Sequence, residues 1–254
     1  MAEIIAVVNQ KGGVGKTTTT VNLGAYLASL GKFVLLVDID SQANATSGLG
    51  IEHQNLEAGL YEVLIGERTL RSIIRETRYP GLRVAPATMN LAGASIELVG
   101  MDRREYRLAD ALLEVTGDYD IILIDCPPSL GLLTVNALVA AQKVLIPVQA
   151  EYYALEGLGQ LLQTIELVRD NLRPGLTVLG AAITMFDRRN SLSESVMNEL
   201  YQFFPQKIFR TVIPRSVRLA EAPSHGKAVI DYDAGSSGAV AYERLAREII
   251  EFLA

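Results

Sequence analysis

The sequence predicts an α/β fold, a mostly parallel twisted sheet covered by helices on both faces, and three observations carry that prediction. Apolar runs alternate with amphipathic stretches from one end of the 254 residues to the other, the pattern of repeated βαβ units. Most of those runs are continuous rather than alternating, as strands covered on both faces require. A glycine-rich segment, 11–17, stands between the first apolar run and the first helical pattern.

The elements follow in order. Strands are expected at Ile4–Val8, Phe33–Val37, Leu82–Ala85, Ile121–Ile124, Val144–Val148 and Leu176–Thr184. Helical periodicity is read at Lys16–Leu30, Leu91–Val99, Glu105–Val115, Leu132–Ala140, Ala154–Leu172 and Ser193–Phe203. Gly31 stands where a helix C-cap glycine belongs. The small-residue stretch Asp231–Gly238 is a loop before a last helix, Ala239–Leu253. That helix sets Leu245, Ala246, Ile249, Ile250 and Leu253 on one face and charged residues on the other, so it is read as packed on the sheet. With no internal repeat, low-complexity tract or linker, residues 1–254 are expected to form a single domain.

Composition narrows the function classes. Hydrophobic residues make up 49% and charged residues 20%, ordinary for a globular chain that buries its own core. A lone cysteine, Cys126, forms no internal disulfide and points to a reducing compartment. One cysteine and two histidines, His53 and His225, argue against zinc or a cysteine-held cluster. The opening Met1-Ala2-Glu3 runs straight into an apolar strand, which is not the form of a signal peptide. No run approaches a membrane span, so a cytoplasmic protein is expected and the Asn44-Ala45-Thr46 sequon is read as coincidence. The net charge of −6 excludes a uniformly basic surface but not a local basic patch.

The most specific signal is Lys11-Gly12-Gly13-Val14-Gly15-Lys16-Thr17 between strand and helix. Glycines let the backbone curl so that successive N–H groups face phosphate oxygens, and the helix start adds its positive dipole end. Lys16 is expected at the β- and γ-phosphates and the Thr17 hydroxyl on Mg²⁺. Gln10 occupies the first glycine position of the strict pattern, and an extra lysine, Lys11, stands near the start of the loop. A dinucleotide site is the rival reading, since Gly13-Val14-Gly15 gives G-x-G and Asp38 ends a strand. Thr18 at the third glycine position and the Lys16-Thr17 pair favour a triphosphate with its metal. Residues 12–18 are therefore the expected nucleotide contacts, Gly12, Gly13, Val14, Gly15, Lys16, Thr17 and Thr18, within a P-loop NTPase fold. Asp125 closes an apolar strand in the Walker B manner, steadying Mg²⁺ through a water. Asp38 and Asp40 end a neighbouring strand at the same edge, where ligands of open α/β sheets bind.

Lys11 and its neighbours resemble the deviant Walker A ATPases of the ParA/MinD superfamily. A closer resemblance, to the ParA/Soj-type chromosome-partitioning ATPases, covers essentially the whole chain. It rests on residues 9–19, 35–40, 48–50, 125–130, 151–157 and 213–223, above all Glu151-Tyr152-Tyr153-Ala154-Leu155-Glu156-Gly157 and Pro214-Arg215-Ser216-Val217-Arg218-Leu219. The resemblance implies an ATPase that hydrolyses ATP to ADP and phosphate, with ATP and Mg²⁺ as cofactors. It implies that ATP is sandwiched in a homodimer, with Lys11 of each subunit reaching the partner's phosphates, Gly12 permitting close approach and Glu151 near the seam. Asp40 would position the attacking water, and the Thr184–Asp187 and Pro214 loops, with Asp187 and Pro214 named, would lie near the adenine. Ser41 stands where relatives commonly carry proline, which loosens that loop.

The stretch 187–227 holds seven basic against four acidic residues. Relatives bind DNA without sequence preference through arginines matching Arg189 and Arg218, and Arg215 stands in the same stretch. The implied partners are the chain itself, nonspecific double-stranded DNA and a ParB-type centromere-binding protein that stimulates hydrolysis, with no membrane. The implied location is on the nucleoid. The alternatives are a MinD-like membrane-cycling ATPase, which wants a basic C-terminus where 243–254 is slightly acidic, and a metabolic P-loop ligase. A nitrogenase-iron-protein-like reductase would need bridging cysteines that Cys126 alone does not supply.

Overall fold

The computed structural model describes residues 1–151, 154–205 and 207–253, without the side chains of 154–156, 191 and 192. Seven strands form one sheet: β1 (Glu3–Val7), β2 (Val34–Asp38), β3 (Arg75–Glu76), β4 (Leu82–Ala85), β5 (Ile121–Asp125), β6 (Lys143–Gln149) and β7 (Thr177–Thr184). Their spatial order is β3-β4-β2-β5-β1-β6-β7, and every pairing is parallel except the short antiparallel β3–β4 edge. Every residue of β2 and β5 is buried, which is why these runs lack polar alternation.

The helices in chain order are α1 (Lys16–Ser29), α2 (Asn44–Gly48), α3 (Leu60–Leu64), α4 (Leu70–Ile73), α5 (Leu91–Glu97) and α6 (Arg107–Leu112). They continue with α7 (Leu132–Ala140), α8 (Ala154–Asn171), α9 (Ser191–Phe203), α10 (Val217–Glu221), α11 (Val229–Tyr232) and α12 (Ser237–Leu253). Alternate strand residues face two separate cores. Ala6, Leu35, Val37, Ile122 and Ile124 meet Leu60, Leu91, Leu138 and Leu161 on one face. Ile5, Val7, Leu36 and Leu123 meet Leu23, Leu27, Tyr242, Leu245 and Ile249 of α1 and α12 on the other. Each fully buried side chain of this size contributes roughly 1.5–3 kcal/mol, so the last helix is tied to the sheet as its periodicity predicts. Among the described residues no helix is long and apolar enough to cross a membrane.

The structure departs from the sequence expectation where elements are short. The two-residue β3 and helices α2, α3, α4, α10 and α11, of four or five residues each, carry too few turns to show a period. Tertiary partners hold them instead: the Gly59 N–H donates to Glu62 Oε2 at 2.7 Å at the start of α3. Thr46, the sequon threonine, is fully buried in α2 and bonded to Asp38, so that segment is spoken for by the core.

Register places the site. Val7 pairs with Asp125, and Asp38 pairs with Asp125 on the other side of β5, so three strand ends meet at one carboxyl edge. Close packing extends to β7, where a Cβ on Gly180 would stand 2.8 Å from Phe209 Cε2 and 3.1 Å from the Lys207 carbonyl oxygen. Gly180→Ala is expected to destabilise the fold by roughly 1–3 kcal/mol, the usual range for overpacking. The check is a urea midpoint lowered with an unchanged slope.

Candidate functional site

The chain leaves β1 at Val7 and curls through residues 8–15 before α1 begins. Gly13 and Gly15 have φ of 74° and 88°, a left-handed conformation that side chains disfavour, so glycine is what lets the loop turn back on itself. Gly15 caps α1 without any side-chain bond, leaving the first helical N–H groups pointing into the loop as an anion cradle. Lys16 is buried, and its Nζ donates to the Lys11 carbonyl oxygen at 3.1 Å, at the centre of the curl. Burial pulls the Lys16 pKa down, while Asp125, Cys126 and Asp40 oppose that shift. Thr184 Oγ1 donates to the Val14 carbonyl at 2.8 Å and pins the loop to the end of β7.

The acids converge as the strand ends imply. Thr17 Oγ1 donates to Asp125 Oδ2 at 2.8 Å, and Thr20 Oγ1 to Asp125 Oδ1 at 2.9 Å. Asp38 accepts from the Thr46 N–H at 2.8 Å and the Thr46 hydroxyl at 2.7 Å. Asp40 is nearly buried and accepts from the Gln42 N–H at 3.0 Å, which sets its loop despite Ser41 at the next position. A threonine hydroxyl against a carboxylate is a hard oxygen donor set of the kind Mg²⁺ takes. One hydroxyl and one carboxylate fit an ion that is completed by waters and ligand phosphates.

Burial pushes the Asp125 pKa up to about 8, with the Asp38 charge adding to it and the two threonine hydroxyls opposing it. Burial likewise raises Asp38, to about 6, against its bonds from Thr46 and Asp40. The folded chain therefore holds protons that an unfolded chain has already released. Stability of the nucleotide-free protein is expected to fall as pH rises from about 5 to about 8. Urea midpoints across that range check it, and a midpoint that rises with pH would contradict it.

Lys11 does not enter its own phosphate cradle. Its Nζ bonds Glu151 Oε2 at 2.9 Å, with the two side chains 40% and 46% exposed. Gln149 donates to the other oxygen of Glu151. Such a half-exposed ion pair is worth about 0–1 kcal/mol, so the tie is easily exchanged for a stronger anion. Gly12 has open space around its Cβ position. Tyr152 and Tyr153 of the 151–157 segment lie outside the described residues, as do the side chains of Ala154, Leu155 and Glu156.

Beside the loop lies a mostly apolar pocket of about 380 Å³ lined by Gly15, Thr18, Thr184, Met185, Ile213, Pro214, Val217 and Tyr242, among others. Its shape and position suit the base of a nucleotide whose phosphates sit in the loop. Pro214 lines this pocket. Asp187 lines the neighbouring groove of about 1030 Å³, together with Arg188, Arg189, Arg215 and Arg244. Asp187 there grips Arg189 through bonds of 3.0 and 2.9 Å, which hold its carboxyl down at about 2. Arg218 is likewise engaged, by Glu221 at 2.9 Å and Asp233 at 3.2 Å. Arg188, Arg215 and Arg244 make no ion pair among the described residues. Sequence reading did not single out Thr20, Thr46, Ile213, Tyr242 or Arg244, and it reached Met185 only as part of the Thr184–Asp187 loop. For Thr20 the signal was present, since i and i+3 on α1 share the face turned to Asp125.

The comparisons agree with this geometry. A family model described as an AAA domain matches residues 2–178. The sporulation initiation inhibitor protein Soj of Bacillus subtilis is 57% identical over 249 residues, 98% of each chain. The chromosome partitioning protein ParA of Myxococcus xanthus is 51% identical over 251 residues, 99% of this chain and 89% of that one. Among solved structures, cobyrinic acid a,c-diamide synthase from Mycobacterium smegmatis with bound ADP and magnesium superposes with a TM-score of 0.89 at 38% identity, covering 100% of this chain and 96% of that one. The seven-stranded, mostly parallel sheet is thus a P-loop NTPase fold.

Proposed function

The chain belongs to the Soj/ParA family of chromosome-partitioning ATPases, and on that premise we propose that it hydrolyses ATP in a cycle that makes and breaks a DNA-binding homodimer. The observation that carries the proposal is the division of labour between two lysines. Lys16 is buried inside the cradle, whereas Lys11 stands at its rim, half-exposed, and among the described residues its ammonium pairs with Glu151. A second positive charge aimed out of its own site has the form of an arginine finger given to another subunit.

In this reading Gly13, Gly15 and the start of α1 bind the phosphates, and Lys16 neutralises charge on the transferring group. Thr17 and Asp125 would hold Mg²⁺, which offsets phosphate charge when bound. Asp40 orients the attacking water and draws its proton. Lys11 leaves Glu151 to complete the partner's site. The apolar pocket takes the adenine. The arginine groove and Arg218 take DNA phosphates, two copies lying side by side in the dimer, on the nucleoid rather than a membrane. A ParB-type protein stimulates turnover.

The test is DNA binding by the purified protein with ATP, ADP or no nucleotide at two salt concentrations, beside an Arg218→Ala variant. Binding that needs ATP and weakens by roughly 0.9 log unit per log of salt for each phosphate contact is expected. The variant should weaken binding and lower that slope. A protein that dimerises with ATP yet leaves DNA unbound at low salt would overturn the DNA assignment.

A second reading has one observation in its favour, the 38% identity to a structure named as a synthase. A carboxylate-activating ligase would turn over ATP only with its small substrate present. ATP turnover by the protein alone, raised by DNA and a ParB-type partner, would set that reading aside.

A further inference from the structure

The apolar pocket and the arginine groove share one wall. Pro214, Arg215 and Val217 line both. The wall is braced by the end of β7: the Phe186 N–H donates to the Ile213 carbonyl at 3.1 Å, and the Arg215 N–H donates to the Phe186 carbonyl at 3.0 Å. Two residues earlier Thr184 is bonded to the phosphate loop at Val14. One residue later Asp187 grips Arg189. Four consecutive residues therefore run from phosphate loop to arginines through direct contacts.

Met185 stands in the middle of that run. Its φ of 51° is a left-handed conformation that a methionine adopts only when its surroundings impose it. Its side chain lines the apolar pocket, with Cε 3.8 Å from where a Cβ on Gly15 would stand. Met185 thus lines the pocket and is joined through its backbone to both the Phe186 pairing with 213–215 and the Asp187 carboxylate.

We propose that the Thr184–Asp187 segment transmits nucleotide occupancy to the arginine groove, with Met185 as its positioning residue. The inference rests on the reading of an ATP-gated DNA binder and adds the route of the gate. A route of this kind needs a contact that differs between nucleotide states. Thr184 supplies it at the phosphate loop and Met185 at the base pocket.

The experiment compares wild type, Met185→Leu and Met185→Gly, each with ATP or ADP at concentrations shown by titration to saturate that variant. The readout is the ratio of DNA affinities in the two states, which for coupled sites lies on the order of 5–150-fold. Wild type and Met185→Leu are expected to keep the ratio, and Met185→Gly, which removes both the contact and the strain, to bring it close to one. A second measurement uses wild type alone: amide exchange at Phe186, Ile213 and Arg215 is expected to differ between ADP and a non-hydrolysable ATP analogue, without DNA. A wild type that binds DNA equally in both states would bring down the gating itself. A wild type that gates, with Met185→Gly keeping the full ratio or those amides exchanging alike in both states, would overturn the route alone.

Discussion

Lys11→Ala is expected to lower ATP turnover by roughly 10³–10⁵-fold, the range over which a finger cation supplied to a phosphoryl-transfer site acts. The expectation follows from where the side chain stands. Lys16 already fills the interior of the loop, so Lys11 adds nothing to its own cradle while bonded to Glu151. Its loss should therefore spare ATP binding by the isolated subunit and remove turnover in the dimer. Steady-state phosphate release beside a binding titration with a fluorescent ATP analogue separates the two effects. A variant that loses nucleotide binding and turnover in parallel would place Lys11 in the cradle instead.

Asp40→Ala is expected to lower turnover by on the order of 10²–10⁴-fold, the usual contribution of a positioned base. Nucleotide binding should persist, because the cradle and the Thr17–Asp125 pair are separate from Asp40. The variant should accumulate as an ATP-bound dimer, seen by light scattering as a species that wild type shows only transiently. Turnover within tenfold of wild type would assign water positioning elsewhere. Asp40→Asn retains an acceptor for the Gln42 N–H and so distinguishes a loosened loop from a missing carboxylate.

The fold was legible because its six long strands are nearly unbroken apolar runs, and β2 and β5 are buried at every position. The phosphate loop was legible because glycine, lysine and threonine have fixed jobs at fixed offsets. What sequence could not show was pairing across distance. Nothing local says that Glu151 holds Lys11, which lies 140 positions away. Charge counting marked 187–227 as basic but not that Asp187 and Glu221 engage Arg189 and Arg218. It also left out Arg244, which the fold of α12 brings to the same groove from outside that stretch. The helices of four and five residues stayed invisible because a single turn has no period, and their stability comes from partners such as the buried Asp38 beneath α2.

Whether Lys11 acts on the partner's nucleotide is decided by mixing two inactive variants. Lys11→Ala and Asp40→Ala subunits are combined with ATP, and turnover of the mixture is compared with that of each alone. If Lys11 reaches across, a mixed dimer contains one site with an intact Asp40 and a Lys11 donated by the other subunit. The mixture is then expected to recover an appreciable fraction of wild-type turnover. If Lys11 serves its own site, neither subunit can complete the other, and a mixture that dimerises yet remains as inactive as its components would rule out action across the dimer.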